Sequence, residues 1–158
     1  MKKKNHNKVN FREFILGGQD GLVNVLGLVL GVASATFNAS IVLIAGVVAT
    51  VAESVSMGAV AYTSSRAAKD YYRSLIKEER ENISLLQKHK LLLHEFENPL
   101  KSAWTVGVST IVGSLIPLTP FFLFSVKKAI FVSLVFSALV LFVVGALKAK
   151  LSIGSWKR

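Results

Sequence analysis

Asp20 and Glu53 are the two carboxylates that fall inside the long apolar runs of this chain. Both runs are rich in small residues: GGQDGLVNVLGLVLGVASA from Gly17 to Ala35, and IAGVVATVAESVSMGAVAY from Ile44 to Tyr62. A charge inside a lipid-spanning helix costs at least ~2.5–3.5 kcal/mol on insertion scales, so such a residue marks an ion pathway or a proton relay by default. Ala49, Glu53 and Met57 are spaced by four and share a helix face, with Ser56 and Tyr62 adding polarity nearby. A carboxylate with a thioether one turn away suits a transition metal of intermediate softness, whereas carboxylates alone would suit magnesium or calcium. The competing reading of Met57 is ordinary core packing. Two carboxylates held together out of water resist carrying two negative charges at once, so entry of a cation would release protons.

Gly17, Asp20, Gly21, Asn24, Gly27 and Gly31 recur at intervals of three and four and line one stripe of the first helix. Gly17/Gly21 and Gly27/Gly31 are GxxxG pairs, which let a second helix come close. A packing stripe needs the glycines but not a carboxylate, so Asp20 asks for a further role. Asn24 and Ser56 are candidate pathway-lining residues.

These residues need helices that cross a bilayer. The chain has 158 residues, is 52% hydrophobic and has a mean hydropathy of +0.52, too apolar for an ordinary soluble domain of this length. A hydrocarbon core ~30 Å thick takes ~20 apolar helical residues, and four stretches qualify: Phe14 to Thr36, Ile41 to Thr63, Ala103 to Phe124 and Ala129 to Leu147. The fold class is therefore all-α, a single integral membrane domain over 1–158 with four transmembrane helices. Pro117 and Pro120 predict a kink or an early end of the third. Between the second and third lies a polar segment, 66–101, in which Tyr72, Leu75, Ile76, Ile83 and Leu86 fall at helical spacing. It reads as an amphipathic helix broken near Asn82 and ended by Pro99, or more simply as a solvated extension of the second helix.

Charge orients the bundle. Seventeen of the 19 Lys and Arg residues lie in the termini and the polar segment, and only Lys127 and Lys128 lie on the other side. The positive-inside rule then puts both termini and the polar segment in the cytoplasm. The net charge of +10 would suggest nucleic acid in a soluble protein. Its segregation between apolar runs fits membrane orientation instead, with no nucleic-acid partner. The absence of cysteine excludes disulfides and thiolate ligands. The basic N-terminus precedes a run that carries Gln19 and Asp20 and has no cleavage pattern, so no signal peptide is read there. His6, His89 and His94 have no metal-site spacing and read as surface residues. No phosphate loop, nucleophile–base pair or dinucleotide fingerprint is present, so an enzyme is not expected.

The chain resembles the vacuolar iron transporter family, also called the Ccc1-like family. The matching motifs are DGLVNVLGLVLGVASA (Asp20 to Ala35), AESVSMGAVAYTSSRAAKDYY (Ala52 to Tyr72), GSLIPLTPF (Gly113 to Phe121) and ALKAKLSIGSW (Ala146 to Trp156). The resemblance implies a secondary transporter moving ferrous iron or manganese out of the cytosol, with protons in exchange, through a pathway between the protomers of a homodimer. Together with the GxxxG spacing it predicts that the whole glycine stripe of the first helix packs against the same helix of a second copy, with Asp20 near the two-fold interface. It implies a plasma membrane location in a prokaryote and a vacuolar or other endomembrane location in a eukaryote. Asp20 is similar to the family's aspartate in helix one and Met57 to its methionine in helix two, and Glu53 matches an acidic position there. The metal is cargo; no permanently bound cofactor is implied. Glu78, Glu79 and Glu81 resemble part of the family's cytoplasmic metal-binding domain, although the segment is short, lacks methionine and carries eight basic against six acidic residues. The family usually has five membrane helices where four are read here. This leaves open a second reading: a degenerate or truncated member that serves as a non-transporting assembly or regulatory partner.

Overall fold

The computed structural model describes the backbone of residues 2–78 and 98–153, together with 85, 87, 89, 90, 92, 93 and 96; side chains are described for 11–77, 98–149 and the same intervening positions. The described residues hold four long helices, α1 (Lys2–Thr36), α2 (Ala39–Glu78), α3 (Pro99–Leu123) and α4 (Val126–Ile153), and no strand. Each contains a stretch long and apolar enough to cross a membrane, so the protein is an all-helical membrane protein.

The helices outrun the apolar segments that define them, because backbone hydrogen bonding does not stop where the side chains become polar. α1 starts twelve residues before Phe14, in a stretch free of Gly and Pro. α2 continues to Glu78, so its 40 residues reach about 60 Å, twice a bilayer core of ~30 Å. The outer half of α2 is thus the simple extension rather than a separate helix. Asn82, Ile83, Leu86 and His94 lie outside the described residues. Tyr72 stacks on Phe96 with ring centroids 6.0 Å apart and lies 6.2 Å from the His89 ring. The chain beyond the extension therefore folds back against it, and His89, expected at the surface, is half-buried.

Two tight turns close one end of the bundle. The Phe37 N–H bonds the Ala33 carbonyl at 3.0 Å, and Phe37 takes φ +48°, the left-handed conformation that commonly terminates helices. The Asn38 side chain then caps α2, its Oδ1 accepting from the Ser40 and Ile41 N–H groups at 3.0 and 3.3 Å. Pro99 does not merely end the polar segment; it occupies the first turn of α3, where its missing N–H costs no bond. Pro117 and Pro120 lie within α3 and do not end it early. The helix passes both and stops at Leu123, where the Phe124 N–H bonds the Pro120 carbonyl at 3.0 Å. Ser133 of α4 donates to the Pro117 carbonyl at 2.8 Å, an interhelical bond that ties α4 to α3 beside the prolines.

α3 packs against all three other helices. Val25, Val29, Ala33, Val42, Leu118, Phe121, Val126 and Ala129 form the apolar core near the turns. Farther from the turns, α1 and α3 meet through small residues. A Cβ on Gly17 would collide with Ser109, and one on Gly21 would come within 2.7 Å of the Ser114 hydroxyl. Large apolar side chains such as Ile44, Val55, Phe131 and Phe142 point outward. Over so much of the surface this means contact with lipid.

Candidate metal pathway

α1 and α2 run antiparallel through their short turn, which brings the polar stripe of one beside that of the other. The Asn24 amide donates to Glu53 Oε1 at 2.8 Å. Asp20, one turn before Asn24 on the same stripe, is a neighbour of the Glu53 carboxyl. Asp20 and Glu53 are half-buried and Asn24 is exposed. One turn beyond Glu53, Met57 is half-buried and Ser56 exposed. Asp20 and Asn24 lie near the middle of the apolar part of α1, and Glu53 near the middle of the apolar part of α2, so the cluster sits deep in the membrane rather than at its edge. Yet it lies on an outer face of the bundle.

The glycine stripe is divided between two jobs. Gly17 and Gly21 face α3 of the same chain, where Ser109, Thr110 and Ser114 leave no room for a side chain. This corrects the expectation that the whole stripe meets another copy, since helix spacing fixes how close a partner comes and not which partner it is. Gly27 and Gly31 are exposed, and a Cβ on either would meet nothing within 4 Å.

A third carboxylate escaped the sequence reading. Ser65 donates to the Ser102 hydroxyl at 3.1 Å, and Ser102 donates to Glu13 Oε1 at 2.6 Å. Both serines are buried. The chain of bonds ties α1, α2 and α3 together at the end of the bundle away from the tight turns. Glu13 is seven residues before Asp20 and so on the same stripe, a visible signal. The serines carry none, because only the tertiary fold brings 65 and 102 together. Of the acidic residues proposed for a cytoplasmic site, Glu79 and Glu81 lie outside the described residues, and Glu78 is described only as the last residue of α2.

A family model described as the VIT family matches residues 11–91 and 82–158, almost the whole chain. The chain belongs to the VIT family. As a VIT-family protein it is 31% identical over 147 residues to an uncharacterised protein of Methanocaldococcus jannaschii, covering 89% of this chain and 74% of that one. It is 27% identical over 180 residues to vacuolar iron transporter 1 of Arabidopsis thaliana, covering 87% and 72%. With protein CCC1 of Saccharomyces cerevisiae it shares 28% identity over 188 residues, 90% of this chain and 58% of the yeast protein. Among the described residues of this VIT-family chain, no group of three or more His, Cys, Asp or Glu side chains converges on one point. The cluster on the outer face holds two carboxylates and one amide, with half-buried Met57 one helical turn beyond Glu53.

Proposed function

We propose that the protein is a secondary transporter that carries divalent iron or manganese out of the cytosol in exchange for protons, and that it works as a homodimer. VIT-family membership and the likeness to vacuolar iron transporters support metal transport. The observation that carries the site is the Asp20–Asn24–Glu53 cluster at membrane depth on an outer face. Hydrocarbon is a poor neighbour for two carboxylates, and intramembrane charges are found facing protein or a water-filled cavity. A second copy packed on the exposed Gly27/Gly31 part of α1 would cover the cluster and double it. Four carboxylates with two amides and two thioethers then surround one path, a donor set suited to a partly dehydrated iron or manganese ion. Two carboxylates out of water resist carrying two negative charges at once, so entry of the metal would be matched by release of protons. Glu78, Glu79 and Glu81 would offer oxygen ligands at the cytosolic end.

The direct test is metal uptake into proteoliposomes of the full chain with a pH-sensitive dye inside, comparing iron, manganese and magnesium. Iron or manganese movement coupled to counterflow of protons is the expected result. A folded dimer that moves no metal would support the non-transporting partner instead.

Two further expectations follow from this arrangement. Reporter fusions after Asn38 and after Lys128 should both read as non-cytoplasmic, as the seventeen-to-two charge asymmetry requires; a cytoplasmic reading at Asn38 would overturn the orientation. Gly27→Leu with Gly31→Leu should leave the monomer folded, since nothing lies within 4 Å of either position. It should nevertheless lower the dimer fraction in detergent, because close helix approach depends on small residues. Unchanged cross-linking and mass would rule out an α1 interface.

A further inference from the structure

On a different face of α2 from Glu53, α2 and α3 leave a groove of about 260 Å³ lined by Val55, Gly58, Ala103, Trp104, Val108 and Ile111 among others. Its floor suits hydrocarbon. The one hydroxyl in the lining, Ser54, is spent on the Gly107 carbonyl at 2.9 Å. The α3 wall runs from Leu100 to Ile111, about 16 Å of helix, which is half of a ~30 Å core and so the depth of one leaflet. Beyond it the two helices close up, with Leu118 filling the notch at Gly46.

The mouth of the groove is basic. Lys101 is exposed in the first turn of α3, and Arg66 is exposed two turns along α2 from Gly58. The Ser65–Ser102 bond of 3.1 Å puts these two turns at one height. Asp70 pairs with Arg66 at 3.2 Å and faces Arg73 at 3.9 Å. Among the described residues, Arg66 and Lys101 are the exposed cations at the height of the mouth. Trp104, 72% exposed, stands between mouth and groove, at the height where amphipathic indole rings anchor to the membrane interface.

We propose that this groove is a binding site for an anionic phospholipid, with one acyl chain along the α2–α3 groove and the phosphate against Lys101 and Arg66. A transmembrane helix of a second copy fits it less well, because a helix needs a seam across both leaflets. Among the described lining residues a metal ion finds no carboxylate. The proposal rests only on membrane insertion and stands apart from the transport reading, since no variant below touches Asp20, Asn24, Glu53 or Met57.

The test uses the full chain in detergent, by native mass spectrometry and thermal melting, with added phosphatidylglycerol, phosphatidylcholine or glycerol phosphate. Phosphatidylglycerol should be retained and should raise the melting temperature, phosphatidylcholine should do so less, and glycerol phosphate should do neither. Lys101→Gln and Arg66→Gln should each weaken phosphatidylglycerol about fivefold, the effect of one cation near an anionic headgroup, and should leave phosphatidylcholine unchanged. Val108→Trp, from a half-open position in the wall, should fill the groove and weaken both lipids. Val55→Trp on the opposite, more exposed wall serves if Val108→Trp fails to fold. Equal retention of the two lipids, or retention unchanged by either groove variant, would overturn the proposal. So would a dimer mass that falls with Val108→Trp in the absence of lipid, which would put a second copy in the groove.

Discussion

Asp20→Asn should abolish metal movement in proteoliposomes while the protein still inserts, folds and dimerises. Asparagine keeps the shape and the capacity to bond across to α2, and removes only the charge. Asp20 is half-buried on the α1 stripe, and no packing contact of the core depends on it. Loss of a group that merely supports a metal ligand typically costs 10–100-fold in affinity, so loss of a direct oxygen ligand should cost more than about a hundredfold in transport rate. With no metal moving, the internal dye should also stay silent even under a large metal gradient. Met57→Leu is the graded companion. It keeps the volume and the apolar character at a cost usually below ~1.5 kcal/mol. It removes the thioether, so iron should lose its advantage over magnesium while the melting temperature hardly moves. A transporting Asp20→Asn protein would show that the cluster is a structural hydrogen-bond set and that the path lies elsewhere.

The sequence was most legible where the bilayer itself sets the rule. A core of fixed thickness demands apolar runs of fixed length, and the four runs became four helices. Spacing by three and four placed Asp20 with Asn24 and Glu53 with Met57, and the turn at Asn38 brought the two stripes side by side, with Asn24 bonded to Glu53. What stayed hidden was identity of partner. The GxxxG pairs of α1 look alike in sequence, yet Gly17/Gly21 meet α3 and Gly27/Gly31 face outward, because the small residues that receive the first pair lie about ninety positions along the chain. Pro117 and Pro120 do not end α3 early; the helix runs past them to Leu123, and Ser133 of α4 bonds the Pro117 carbonyl there. Glu13 lay just outside the apolar run that defined the first span, and its bond to Ser102 exists only once α3 is folded against α1.

Gly113→Val should be the most damaging single substitution in the bundle. Gly113 of α3 lies directly on the backbone of Gly18 in α1, and a Cβ there would collide with the Gly18 carbonyl. No flexible side chain is available to swing aside, so the helices themselves must part. The same seam holds Gly17 against Ser109 and Gly21 against Ser114, and a shift at its centre loosens both ends. Overpacking a well-fitted interior costs about 1–3 kcal/mol even where side chains can adjust, and a valine pressed on backbone belongs at the top of that range or above it. Separation of α1 from α3 would also release the Ser102–Glu13 bond of 2.6 Å and leave a carboxylate half-buried without its partner. The expected result is little monodisperse protein in detergent and a melting temperature well below that of the parent chain. Gly145→Ala provides the control. It is also a helix glycine, but nothing lies within 4 Å of its added Cβ, and alanine there should stabilise the helix by roughly 0.5–1 kcal/mol. If Gly113→Val melted like Gly145→Ala, the close α1–α3 seam would not be what holds this bundle together.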